Sequence, residues 1–140
     1  MNRMFYECKK LNNLCLSNFN ASNVKNMGFM FCHCSSLTSL DISNFDTSKA
    51  TDMTATFAKC YKLSSLDLSN FNTSRVKNIS YIFYQCYILS SIDISSFNTS
   101  EVIDMSHMFH RCYSLNSLNL SNFDTSNTQK WITCFIIVHL

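Results

Sequence analysis

The stretch Cys60-Tyr61-Lys62-Leu63-Ser64-Ser65-Leu66-Asp67-Leu68-Ser69-Asn70-Phe71 decides the fold. It contains an L-x-x-L-x-L run. Leu66 and Leu68, two residues apart, point to one side of a strand, and Ser65 and Asp67 point to the other. A Ser-Asn-Phe turn follows, in which Asn is expected to take the left-handed backbone position that glycine usually fills. The arrangement also stands 26 residues earlier, as Leu37-Thr38-Ser39-Leu40-Asp41-Ile42 and Ser43-Asn44-Phe45. Cys8, Cys34, Cys60, Cys86 and Cys112 keep this interval, as do Phe19, Phe45, Phe71, Phe97 and Phe123. So do Leu14, Leu40, Leu66, Ile92 and Leu118, and the column Phe5, Phe31, Phe57, Phe83, Phe109 and Phe135. One such unit cannot bury its apolar face, but units stacked in register can.

The other half of each unit reads V-x-x-M-[ST]-x-x-F-x-x-C, as in Val102-Ile103-Asp104-Met105-Ser106-His107-Met108-Phe109-His110-Arg111-Cys112. Thr54, Ser80 and Ser106 stand where an N-cap belongs, and Phe83 with Cys86, or Phe109 with Cys112, share a helical face. The expected architecture is an α/β repeat. It is a right-handed leucine-rich-repeat-like solenoid of about five rungs, with one parallel β-sheet and short helices or 3₁₀ turns on the outer side. Residues 1–135 are expected to form this single unit, with 131–140 an irregular apolar tail. Met1 enters at the position later held by Met27, Met53 and Met105, and neither end carries a polar cap. The chain is therefore expected to be a fragment of a longer array, or a reading frame truncated at both ends. No apolar h-region follows Met1, and the ten residues from Trp131 are too few for a membrane span of roughly 20.

Composition removes several function classes. Charged residues are 14% of the 140, and the net charge is only +2, without the concentrated basic footprint of a nucleic-acid binder. Hydrophobic residues at 46% are too many for a disordered chain. Proline is absent and Gly28 is the one glycine, which excludes glycine-rich phosphate loops and proline-rich recognition segments. Asn, Ser and Thr carry the polarity instead, together 48 residues.

The run from Cys34 through Leu37, Leu40, Asp41, Ile42 and Phe45 to Ser48 resembles the BspA-like leucine-rich-repeat surface proteins. The run from Val102 to Cys112 fits the same pattern, and the resemblance covers about residues 1–135. It implies an elongated parallel-β solenoid displayed on a cell surface, with adhesion or protein binding as its role and no catalytic residues. The chain departs from the pattern at Cys15 and Asn119, where the middle units have Asp, and at Ser96, where the others have Asn.

Several clusters invite a chemical reading. The five-membered cysteine column suits disulfides in an oxidising compartment, but each cysteine follows a Phe by three on an apolar face, and buried thiols are expected. A line of cysteines one repeat apart does not form the tetrahedron that zinc needs. Cys32-His33-Cys34 and His107-x-x-His110-x-Cys112 look like ligand sets but stand three units apart, and are expected to be surface histidines beside core cysteines. No orienting third group accompanies a Cys–His pair, so no catalytic site is expected. Asn20-Ala21-Ser22, Asn72-Thr73-Ser74, Asn78-Ile79-Ser80, Asn98-Thr99-Ser100 and Asn119-Leu120-Ser121 fit the N-glycosylation rule, as a by-product of the repeat.

The outward strand positions carry the functional expectation. Asp41, Asp67 and Asp93 form an acidic ladder, readable as a solvated strip, a weak calcium stripe or the centre of a binding face. Ser39, Ser65, Ser91, Ser117 and Asn119 flank it, and a flat hydroxyl-rich surface suits an extended partner better than a small molecule. The expected function is a non-catalytic adhesion or interaction module without a cofactor or metal. It would bind a protein or glycan on a host or neighbouring cell. The alternative is a passive spacer or truncated remnant, prone to end-to-end self-association through unpaired strand edges.

Overall fold

The computed structural model describes residues 1–134, so Phe135 and the tail from 135 to 140 lie outside the described residues. Four strands of three residues appear in chain order: β1 (Asn13–Cys15), β2 (Ser39–Asp41), β3 (Ser65–Asp67) and β4 (Ser91–Asp93). They pair in parallel, β1 with β2 and β3 with β4, and the partners are equivalent residues of neighbouring repeats: Leu14 opposite Leu40, Leu66 opposite Ile92. The expected single sheet is thus two two-stranded sheets. Strands this short hold each neighbour by very few backbone bonds. Asn70 spans the junction between β2 and β3, its Nδ2 donating to the carbonyls of Ile42, Ser43 and Phe45.

The expected outer helices are a correction: no helix occurs among the described residues. From Met53 to Cys60 the backbone donors alternate. The N–H groups of Met53, Ala55, Phe57 and Lys59 donate to the carbonyls of Asn78, Ser80, Ile82 and Tyr84 in the next unit. Those of Thr56, Ala58 and Cys60 close turns onto Met53, Ala55 and Phe57. An α-helix needs every N–H for its own carbonyl four residues back, and here half are committed to the neighbouring repeat. The run also passes through left-handed backbone twice, at Ala55 (φ 52°) and Lys59 (φ 60°). Both positions recur by repeat, at Arg3, Phe29, Tyr81 and His107, and at Glu7, His33, Gln85 and Arg111. Gly28 is at neither, and the Asn of the Ser-Asn-Phe turns is not left-handed. Asn44 instead donates from Nδ2 to the carbonyl of Ser17 in the preceding unit.

The interior is the set of columns seen in the sequence. Phe31, Phe57, Phe83 and Phe109 are fully buried, and with Phe5 they stack at centroid separations of 5.5, 5.6, 5.9 and 5.4 Å. Backbone bonding continues into the start of the expected tail, where the N–H groups of His107 and Phe109 donate to the carbonyls of Ile132 and Cys134.

Candidate functional site

The polar residues of the strand face are built into turns. At Asp41, Oδ1 accepts the Ser43 N–H at 3.1 Å and the Ser43 hydroxyl at 2.7 Å. Asp93 receives the same pair from Ser95, and Asp67 and Asn119 receive the N–H of Ser69 and Ser121. These are Asx turns, in which a short side chain imitates the backbone carbonyl of a β-turn. Two more sets recur in each unit. One runs through Asn20, Asp46, Asn72, Asn98 and Asp124, the other through Asn26, Asp52, Asn78 and Asp104. The hydroxyls of Thr54 and Ser80 donate back to Asp52 and Asn78, so the residue expected to be the cap is the donor to it. The N-glycosylation triplets are Asx turns as well, their Asn Oδ1 engaged by the Ser two residues on.

The charges on this face are arranged differently from a continuous ladder. Asp67 and Asp93 are direct partners across β3 and β4, but Asp41 lies opposite Cys15, whose thiol donates to it at 3.4 Å. The hydroxyl and N–H of Ser43, Ser69 and Ser95 hold the carboxyls of Asp41, Asp67 and Asp93 below the ordinary range. Ser39, Ser65, Ser91, Asp67 and Asp93 are exposed and Asp41 half-buried. Ser117 and Asn119 are exposed too, but lie outside the paired strands.

The His107 and His110 rings meet edge-on at 5.6 Å, but Cys34 and Cys112 turn inward, away from the histidines of their clusters. Cys34 faces the core and donates to the carbonyl of Phe5, while the His33 ring packs edge-on against Tyr61 and lies 4.0 Å from Glu7. Cys112 likewise donates inward to Phe83, whereas His107 meets Thr133 and His110 stacks on Tyr84. Burial lowers the pKa of His110, whose Nδ1 is buried without a hydrogen-bond partner among the described residues. No group of three His, Cys, Asp or Glu residues placed to hold a metal occurs among the described residues. All eight cysteines are thiols. Burial pushes Cys34 and Cys112 up to about 12 and Cys134 to about 11, and Cys60 and Cys86 well above the ordinary value, so these thiols are poor nucleophiles.

Sequence reasoning missed the surface over the turn run. There Tyr61, Tyr87 and Tyr113 stack at 4.9 and 5.5 Å, and Tyr81 stacks on His107 at 4.5 Å. A cleft of about 340 Å³ opens beside Tyr81, over Ala55 and Ala58. Reading one repeat position at a time, through Phe29, Ala55, Tyr81 and His107, was the available signal.

In-register 26-residue units, short parallel strands and an interior of stacked apolar columns define a leucine-rich-repeat protein. Two solved structures share this fold. A leucine-rich repeat protein from Eubacterium ventriosum matches with TM-score 0.53 and 19% identity, over 84% of this chain and 28% of that one. A leucine rich cell surface protein from Faecalibacterium prausnitzii matches with TM-score 0.52 and 19% identity, over 91% of this chain and 36% of that one. The chain therefore spans about a third of the length of these relatives. It belongs to the family described as "Mycoplasma protein of unknown function, DUF285", whose model matches residues 1–89 and 57–137. A comparison with curated proteins finds no match.

Proposed function

We propose that the chain is a non-catalytic interaction module of a BspA-like cell-surface protein. In this reading it is one solenoid of about five rungs over residues 1–135, part of a longer array, and it binds a protein or glycan through the strand face. The observation that carries the reading is the exposed, hydroxyl-rich row of Ser39, Ser65 and Ser91 with its anchored Asp neighbours, on a core that repeats without interruption. Rigid repetition lets weak contacts add. The surface location rests on the Faecalibacterium relative, described as a cell surface protein.

The test is the Asp41/Asp67/Asp93→Asn triple variant, with and without calcium, against a panel of matrix proteins and glycans. Asn20, Asn72 and Asn98 make the same Asx turns, so the variant removes charge and keeps the turns. Saturable binding by the native chain, weakened about tenfold or more in a variant that remains folded, is the expected result; tenfold is about 1.4 kcal/mol. Clean absence of binding from a folded monomer sinks this reading in favour of a spacer.

A further inference from the structure

The aromatic residues over the turn run form two columns, each read one repeat at a time. The first holds Arg3, Phe29, Ala55, Tyr81 and His107, and the second Tyr6, Cys32, Ala58, Tyr84 and His110. In the first column planar groups lie on both sides of a single gap. The Arg3 guanidinium sits 5.2 Å from the Phe29 ring centre, and Tyr81 stacks on His107 with 25° between the planes. Between Phe29 and Tyr81 stands Ala55, with Ala58 beside it in the second column, and the cleft of about 340 Å³ lies over both. Successive units of a parallel stack are about 4.8 Å apart, so Phe29 and Tyr81, two units apart, are separated by about 10 Å along it. A ring midway would lie about 5 Å from each. The phenylalanine column of this protein stacks at 5.4 to 5.9 Å, close to that spacing.

The walls are fixed by their own packing. Tyr6 meets Phe29 edge-to-face at 6.5 Å, and Tyr81 meets Tyr84 in the same way at 5.4 Å. Cys32, Ala55 and Ala58 form a small buried apolar cluster, separate from the main core, that floors the gap. Lys59 also lines the cleft, and no ion pair of its ammonium occurs among the described residues.

We propose that this cleft binds one planar aromatic ring bearing a carboxylate, which enters between Phe29 and Tyr81, completes the interrupted stack and pairs its charge with Lys59. The cleft has the volume of a small-molecule site, and a ring between two faces gains from both. No residue of the strand face lines it, so the inference is independent of the adhesion reading.

The probe is indole-3-acetate, titrated calorimetrically into the intact chain beside cyclohexylacetate and indole-3-ethanol. Saturable binding of indole-3-acetate is expected, about tenfold tighter than cyclohexylacetate, which has the charge without the flat ring. Ala55→Phe supplies the missing ring from the protein itself. Phe29 shows that Phe is accommodated at this repeat position with φ 57°, so the variant is expected to fold and to lose binding. Lys59→Gln is expected to weaken indole-3-acetate and to leave indole-3-ethanol unchanged. Should Ala55→Phe fail to fold, Tyr81→Leu removes one wall and is expected to cost about tenfold. A peptide ending in Trp, run in parallel, shows by its relative affinity whether a chain terminus or a free aromatic acid is the better source. The proposal is overturned by absence of saturation with both ring sources, by cyclohexylacetate binding as tightly, or by a folded Ala55→Phe chain that binds undiminished.

Discussion

Asn, Ser and Thr look interchangeable in this chain, yet the structure gives each a distinct task. Asx residues close turns, serines two positions on donate to them, and a column of threonines is buried. Thr73 Oγ1 donates to the carbonyl of Asn98 at 2.9 Å and accepts the N–H of Asn98 at 2.8 Å. Thr47 does the same toward Asn72. Thr73→Val keeps the shape and leaves the part-buried N–H and carbonyl of Asn98 without this partner, so it is expected to lower unfolding stability by about 1 kcal/mol. Denaturant unfolding measures this, and an unchanged midpoint would contradict a role for the hydroxyl. The departures from the repeat are compensated in the same way. Ser96, where the others have Asn, still offers its one hydroxyl proton to the carbonyls of Leu68 and Phe71, each 3.0 Å away. Gly28 lacks the hydroxyl of Thr54 and Ser80, and the Asn2 amide donates to Asn26 in its place. The strand alternation was legible in the residues. The turn chemistry was not, because an Asx-x-Ser triplet reads equally as a glycosylation acceptor, a cap or a loop.

At the scale of the element, a chain of turns takes the place of the short helices or 3₁₀ turns expected on the outer side. Phe and Cys three apart satisfy a helical face, and they satisfy equally well a chain of turns that buries residues three and four apart, as Met27, Met30, Phe31 and Cys34 are buried here. The distinction lies in where the N–H groups go, and only the neighbouring repeat decides that. Arg111, exposed with φ 62°, supplies a test. In a helix interior, Arg111→Gly would cost about 1 kcal/mol. In left-handed backbone it relieves a strain of about 1–2 kcal/mol and gives back about 0.4–1 through the freer unfolded chain. Thermal melting is therefore expected to show stability unchanged or up to about 1.6 kcal/mol higher. A loss near that of a helical glycine would argue for the helix.

Across the whole molecule, stability rests on groups that titrate at opposite ends of the pH scale. The Asx bonds hold Asp41, Asp46, Asp67, Asp93 and Asp124 below their ordinary range, so their contribution is present above about pH 4 and lost as pH falls through the folded values. The buried thiols have raised values, so their contribution is full below about pH 8.5 and is lost as pH rises toward about 12, where Cys34 and Cys112 titrate. Tm measured against pH should therefore fall at both ends, and a Tm level from pH 7 to pH 11 would contradict burial of the thiols. The sequence by itself determined the period, the columns that fill the interior and the residues that line the strand face. Those follow from strict spacing and from the need of each unit to cover its neighbour. Only the tertiary structure decided that the strands pair in twos, that the outer run is a chain of turns, and that two alanines interrupt an aromatic stack. Each depends on how one repeat meets the next, and the spacing within a single repeat carries no record of it.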